Sequence, residues 1–86
     1  MVEKVRRQPV LQDRERVRRK RIEAGLEQQQ LAAKARISPQ HMNAIELGNR
    51  SASPPVLRRI ARVLRCPISE LLPAEKVATD AEIGVA

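Results

Sequence analysis

Two Ser-Pro pairs, Ser38-Pro39 and Ser53-Pro54, limit the folds open to this chain more than any other feature. A serine hydroxyl accepts a hydrogen bond from a free N–H in the first turn of a helix. A proline in the next position sacrifices nothing by lacking its own N–H, so each pair predicts a helix start. The stops are equally local: Gly25 and Gly48 stand where a helix can end in a left-handed residue, and Pro67 and Pro73 cannot continue one. Punctuation this dense leaves only short helices. Because a helix below about 12–15 residues is marginal alone in water, these must brace one another.

Between the marks, apolar residues recur at helical spacing. The stretch "LQDRERVRRKRIEA", from about Leu11 to Ala24, places Val17, Arg21 and Ala24 on one face, and Leu26 can fold back beyond Gly25. A second helix from about Gln28 to Ala35, capped by Glu27, turns Leu31, Ala32 and Ala35 inward. The third starts at Pro39 and ends at Gly48, with Met42 and Ile45 inward and Gln40, Asn43, Ala44 and Leu47 on the other face. A fourth, opened by Ser53, directs Leu57, Ile60, Ala61 and Leu64 inward and Arg58, Arg59, Arg62 and Arg65 outward. A short fifth, "ISELL", offers Ile68, Leu71 and Leu72. No segment alternates as a strand would. The expected class is all-α: a compact five-helix domain over residues 11–72, between a mobile basic arm (1–10) and a flexible, mildly acidic tail (73–86).

The 86 residues include no Phe, Tyr or Trp, so the core must be built from Leu, Ile, Val, Ala and Met. A chain of this length buries only about 60% of the surface its unfolded form exposes, and a second copy would add to that. Charge is uneven. Residues 1–72 hold 16 basic and 7 acidic groups, a net +9, whereas residues 73–86 hold 1 and 3, a net −2. A basic body with a pI near 11.1 suits a polyanion, either nucleic acid or an anionic membrane surface.

Other classes fall away. No apolar run approaches the ~20 residues that span a bilayer, and the charged N-terminal stretch is unlike a signal peptide, so a cytoplasmic protein is expected. The single Cys66 excludes an intrachain disulfide and a cysteine-built metal site, and His41 alone cannot complete a zinc set. Cys66 is read as a small buried hydrophobe. There is no G-x-G-x-x-G, no G-x-x-x-x-G-K-[ST] and no spacing that suggests a Ser, His and Asp group, so neither an enzyme nor a cofactor is expected.

The stretch "GLEQQQLAAKARISPQHMNAIELGNRSASPPVLRRIARVLRCPISELL" resembles the helix-turn-helix domain of the Cro and phage-repressor type, the XRE family. The resemblance runs without a gap from Gly25 to Leu72, and "VRRKRIEA" extends it back to Val17. Its most specific parts are Gly25-Leu26 with Gln28, Leu31-Ala32, Ser38, Ile45-Glu46 before Gly48, and Ile60-Ala61 before Leu64. It implies a lambda-repressor-like fold in which the third helix enters the major groove of duplex DNA, in a protein of prokaryotic or phage origin.

Carried over residue by residue, the resemblance makes Gln40 and Asn43 base readers, since a side-chain amide both donates to and accepts from adenine, and lets Ala44 meet a thymine methyl. It places Ser38 and Pro39 at the groove's edge, Gln28 at a phosphate, Asn49 and Arg50 near the backbone, and His41 either at a phosphate or packed. It pairs Arg21 with Glu46, which gives the inward arginine a partner. Family dimers often use the end that carries Ile68, Leu71 and Leu72, though those side chains also suit the protomer's own core. Four positions depart from the family pattern: Arg36 and Arg65 stand where the family usually has glycine, and Pro39 and Ala44 replace more commonly polar recognition positions.

The expected function is sequence-specific binding of double-stranded DNA by a homodimeric transcriptional regulator that represses from a near-palindromic operator, with no membrane partner expected. The alternatives are a protein-interaction subunit, antitoxin-like or coactivator-like, and a basic protein that binds RNA or a membrane surface.

Overall fold

The computed structural model describes residues 10–74. Four α-helices, α1 (Arg14–Glu23), α2 (Gln28–Ala35), α3 (Pro39–Leu47) and α4 (Pro54–Leu64), are followed by a 3-10 turn, η1 (Ile68–Leu71). No strand occurs among the described residues. Most of the expected basic arm and acidic tail lies outside them.

Each helix begins and ends for a local reason. Asp13 Oδ1 accepts from the N–H groups of Glu15 and Arg16, and Ser38 Oγ accepts from His41 N–H at 3.0 Å. Gln30 Oε1 accepts from Glu27 N–H at 2.8 Å, which secures the start of α2. At the other ends, Gly25 and Gly48 take positive φ, and so do Arg36 (63°) and Arg65 (57°). In all four cases the next N–H reaches back to a carbonyl of the last turn: Leu26 to Arg21, Ile37 to Ala32, Asn49 to Ala44 and Cys66 to Ala61.

Two of the expected helices need correction. The helix foreseen from Leu11 begins at Arg14, because Asp13 caps it and Leu11 and Gln12 bond instead to the loop after α3. The fifth helix is a single 3-10 turn. Pro67 and Pro73 leave only residues 68–72 between them, too few for an α-helix with both ends satisfied, and i→i+3 bonds close a turn with fewer residues.

The core is aliphatic, as a chain without aromatic residues requires. Val17, Leu31, Met42, Ile45, Leu57, Ile60 and Leu71 are fully buried, and Ala32 and Ala35 let α2 approach its neighbours closely. Val56 also faces inward, whereas Ala24, expected on the buried face of α1, is exposed. Arg59 is not the outward arginine the spacing predicts: its Nε donates to the Ala35 carbonyl at 2.7 Å and ties α4 to the end of α2. Cys66 is half-buried against this core.

Candidate nucleic-acid interface

Helix α3 presents two unlike faces. Met42 and Ile45 are fully buried, while Gln40 and Asn43 are exposed and Ala44 is half-buried. The helix therefore sits on the core by its apolar side and shows amides and a methyl group to the outside. Ser38 and Pro39 are exposed at its start, with the Ser38 hydroxyl engaged as the cap, and His41 is half-buried one turn in. Leu47 closes the helix at 48% exposure.

Glu46 fixes the angle of α3. Its carboxylate accepts from Arg21 Nε at 2.7 Å, Arg21 Nη2 at 3.1 Å and Gln28 Nε2 at 3.1 Å, so α1, α2 and α3 meet at one side chain. Arg21 also donates through Nη1 to the Leu26 carbonyl at 2.8 Å. The side chains are 14% and 2% exposed, and a buried carboxylate needs a bonded cation of this kind to stay charged. The Gln28 amide, assigned to a phosphate by the resemblance, is directed at Glu46 in the free protein.

Beyond α3 the chain is held rather than loose. Asn49 and Arg50 are exposed, but the Arg50 carbonyl accepts from Gln12 Nε2 at 3.0 Å and the Ala52 N–H donates to Gln12 Oε1 at 2.9 Å. Sequence reasoning missed Gln12. Its only local sign is its place beside the Asp13 cap, because its partners lie 33–40 residues away.

The three residues that the resemblance connects with family dimers, Ile68, Leu71 and Leu72, lie in and just after η1. Leu71 is fully buried, while Ile68 and Leu72 are half-buried against the same core. Lys20 Nζ meets Glu70 at 2.7 Å and joins α1 to η1, and that hydrogen bond raises the lysine above its ordinary value. Burial pushes the Cys66 thiol up, away from the thiolate a nucleophile needs. Among the described residues no helix is long and apolar enough to cross a membrane, and no cluster of His, Cys, Asp or Glu could hold a metal ion.

A protruding, polar-faced short helix braced by a second is the geometry of a helix-turn-helix, and the sequence model of that family matches residues 17–71. The chain belongs to the XRE-type helix-turn-helix family. The family match takes in α2, the turn at Arg36 and α3, together with most of α1, all of α4 and η1. Among solved structures, the clp gene regulator ClgR from C. glutamicum is similar over 73% of this chain and 84% of that one, with a TM-score of 0.64 and 23% identity. At that identity the likeness shows the helix-turn-helix fold. No curated protein matches the chain.

Proposed function

We propose that this helix-turn-helix protein is a sequence-specific regulator that binds duplex DNA through α3 and represses transcription as a homodimer on a near-palindromic operator. The observation that carries this reading is the division of α3 into a fully buried side, Met42 and Ile45, and an exposed amide side, Gln40 and Asn43. A major groove about 12 Å wide admits such a helix, and amides discriminate base edges there where carboxylates would repel the phosphates. Gln40 and Asn43 read adenines in this proposal, with Ala44 against a thymine methyl. Ser38, Pro39 and His41 lie along the groove's edge, and Asn49 and Arg50 contact the backbone. Gln28 reaches a phosphate through the N–H groups at the start of α2, a favourable place for an anion, while its side chain stays on Glu46.

Selection of bound sequences from a random duplex pool tests the proposal directly. Gln40→Ala should then weaken binding to the selected site by about 1–3 kcal/mol and leave random duplex nearly unchanged. Equal losses on both would remove Gln40 from the base readers.

One observation favours a second reading, in which the same face docks a protein. Leu47 exposes 48% of its surface at the end of α3. Co-purification of a partner together with weak, sequence-indifferent DNA binding would decide for it.

A further inference from the structure

Residues 11–14 lie upstream of the family match, which begins at Val17, and they fold over the exit of α3. Gln12, 1% exposed, donates from one amide nitrogen to the carbonyls of Ile45 and Arg50, each at 3.0 Å, and accepts from Ala52 N–H at 2.9 Å. Leu11 N–H donates to Ser51 Oγ at 2.9 Å, and Asp13 N–H to the Leu71 carbonyl at 2.7 Å. These bonds fasten the chain before α1 to the last turn of α3, to the following loop and to η1.

Arg14 comes next, and the latch aims it. Its Nη1 donates to the Leu47 carbonyl at 2.8 Å, and its stem lies so close to Gly48 that a Cβ there would stand 3.1 Å from Arg14 Cδ. The last turn of α3 carries no basic residue of its own, so the guanidinium supplies positive charge where the helix's exposed carbonyls are negative. Arg14 is exposed and forms no ion pair among the described residues. One N–H of the guanidinium is engaged, which leaves the other donors of this exposed side chain free for a ligand, at the carbonyl that precedes Gly48 and the exposed Asn49 and Arg50 in sequence. Arg21, further along α1, differs because Nε, Nη1 and Nη2 are all bonded within the protein.

We propose that Arg14 is a phosphodiester contact of the DNA face, seated on the Leu47 carbonyl and held there by the Gln12 latch. The inference rests on α3 being the helix that enters the groove. The end of such a helix carries partial negative charge and would repel the backbone beside it, and a guanidinium fixed at that end reverses the sign. It is also oriented before binding, so little of its freedom is lost when a phosphate arrives.

The test compares the wild-type 86-residue chain with Arg14→Gln and Arg14→Lys by fluorescence anisotropy, on a selected duplex and on a random one, over a range of salt. Thermal melts of all three check that each is folded. A lost phosphate contact makes the plot of log affinity against log salt shallower by about 0.9. Arg14→Gln is expected to show that change and to weaken both duplexes by the same factor, while Arg14→Lys keeps the wild-type slope. A wild-type slope in Arg14→Gln overturns the inference even if affinity or melting temperature falls, because Arg14 then acts only by steadying α3. If the wild type binds selected and random duplex equally, sequence-specific regulation fails, and the slope still decides Arg14. A wild-type chain that binds no duplex overturns both.

Discussion

Glu46 joins three elements through two charge-assisted bonds from Arg21 and one amide bond from Gln28, and its side chain is only 2% exposed. Removal of one partner from a buried pair leaves the other charge uncompensated. Glu46→Ala should therefore destabilise the protein by about 3 kcal/mol, at the low end of the range for buried pairs, because Arg21 keeps its bond to Leu26. Urea unfolding measures this, and an unchanged midpoint would show that the pair adds nothing. Gln12 makes a different kind of contribution, since all its partners are backbone groups. Gln12→Ala deprives the carbonyls of Ile45 and Arg50 and the N–H of Ala52 of their partner and should cost about 2–3 kcal/mol. Hydrogen exchange at Ala52 reports the same loss locally: faster exchange is expected there, and unchanged protection would mean that another group replaces the amide. Arg21 was legible as an inward charge that needed a partner. Gln12 was not, because nothing in its own neighbourhood specifies carbonyls so distant in sequence.

The helices themselves show what local chemistry can and cannot specify. Ser38-Pro39 and Ser53-Pro54 mark the starts of α3 and α4, and α2 runs from Gln28 to Ala35, because caps, prolines and glycines act within a turn of where they stand. The start of α1 was harder to place. "LQDRER" contains no breaker, and the Asp13 cap acts together with bonds from Leu11 and Gln12 to a distant loop to keep those two residues out of the helix. The arginines of α4 looked alike in sequence, and the packing of α2 alone singles out Arg59. Arg36 and Arg65 follow from the family pattern in a stricter way. Each occupies a left-handed helix terminus that glycine adopts without strain, with φ of 63° and 57°. Arg36→Gly and Arg65→Gly should each stabilise the fold by up to about 1 kcal/mol, because the strain relieved outweighs the added freedom of the unfolded chain. A higher urea midpoint at unchanged slope is the expected result. A lower midpoint for either variant would show that the arginine side chain contributes more than its backbone conformation costs.

At the scale of the whole molecule, the limiting quantity is how much sequence one copy of α3 can read. Gln40 and Asn43 are its two exposed amides, and each good amide contact discriminates by about 1–3 kcal/mol, so one chain that read bases as proposed would supply roughly 2–6 kcal/mol. Specific sites are typically favoured over random DNA by about 4–10 kcal/mol, which two protomers reach and one barely does. The proposed homodimer would answer that shortfall, and the small aliphatic core leaves apolar surface: Ile68 and Leu72 are half-buried, and Ile22 and Leu47 are exposed. Leu71 would offer such a dimer no surface in this conformation, because its side chain is fully buried within one chain. Two copies of α3 in successive major grooves require half-sites about 34–36 Å apart, so the sequences selected from a random pool should form a near-palindrome with centres separated by about 10 base pairs. Sedimentation equilibrium on that duplex should then give two chains per site. A complex of one chain on a single, asymmetric half-site would defeat the symmetric arrangement, and the missing discrimination would have to come from contacts outside α3, with the loop at Asn49 and Arg50 the first place to look.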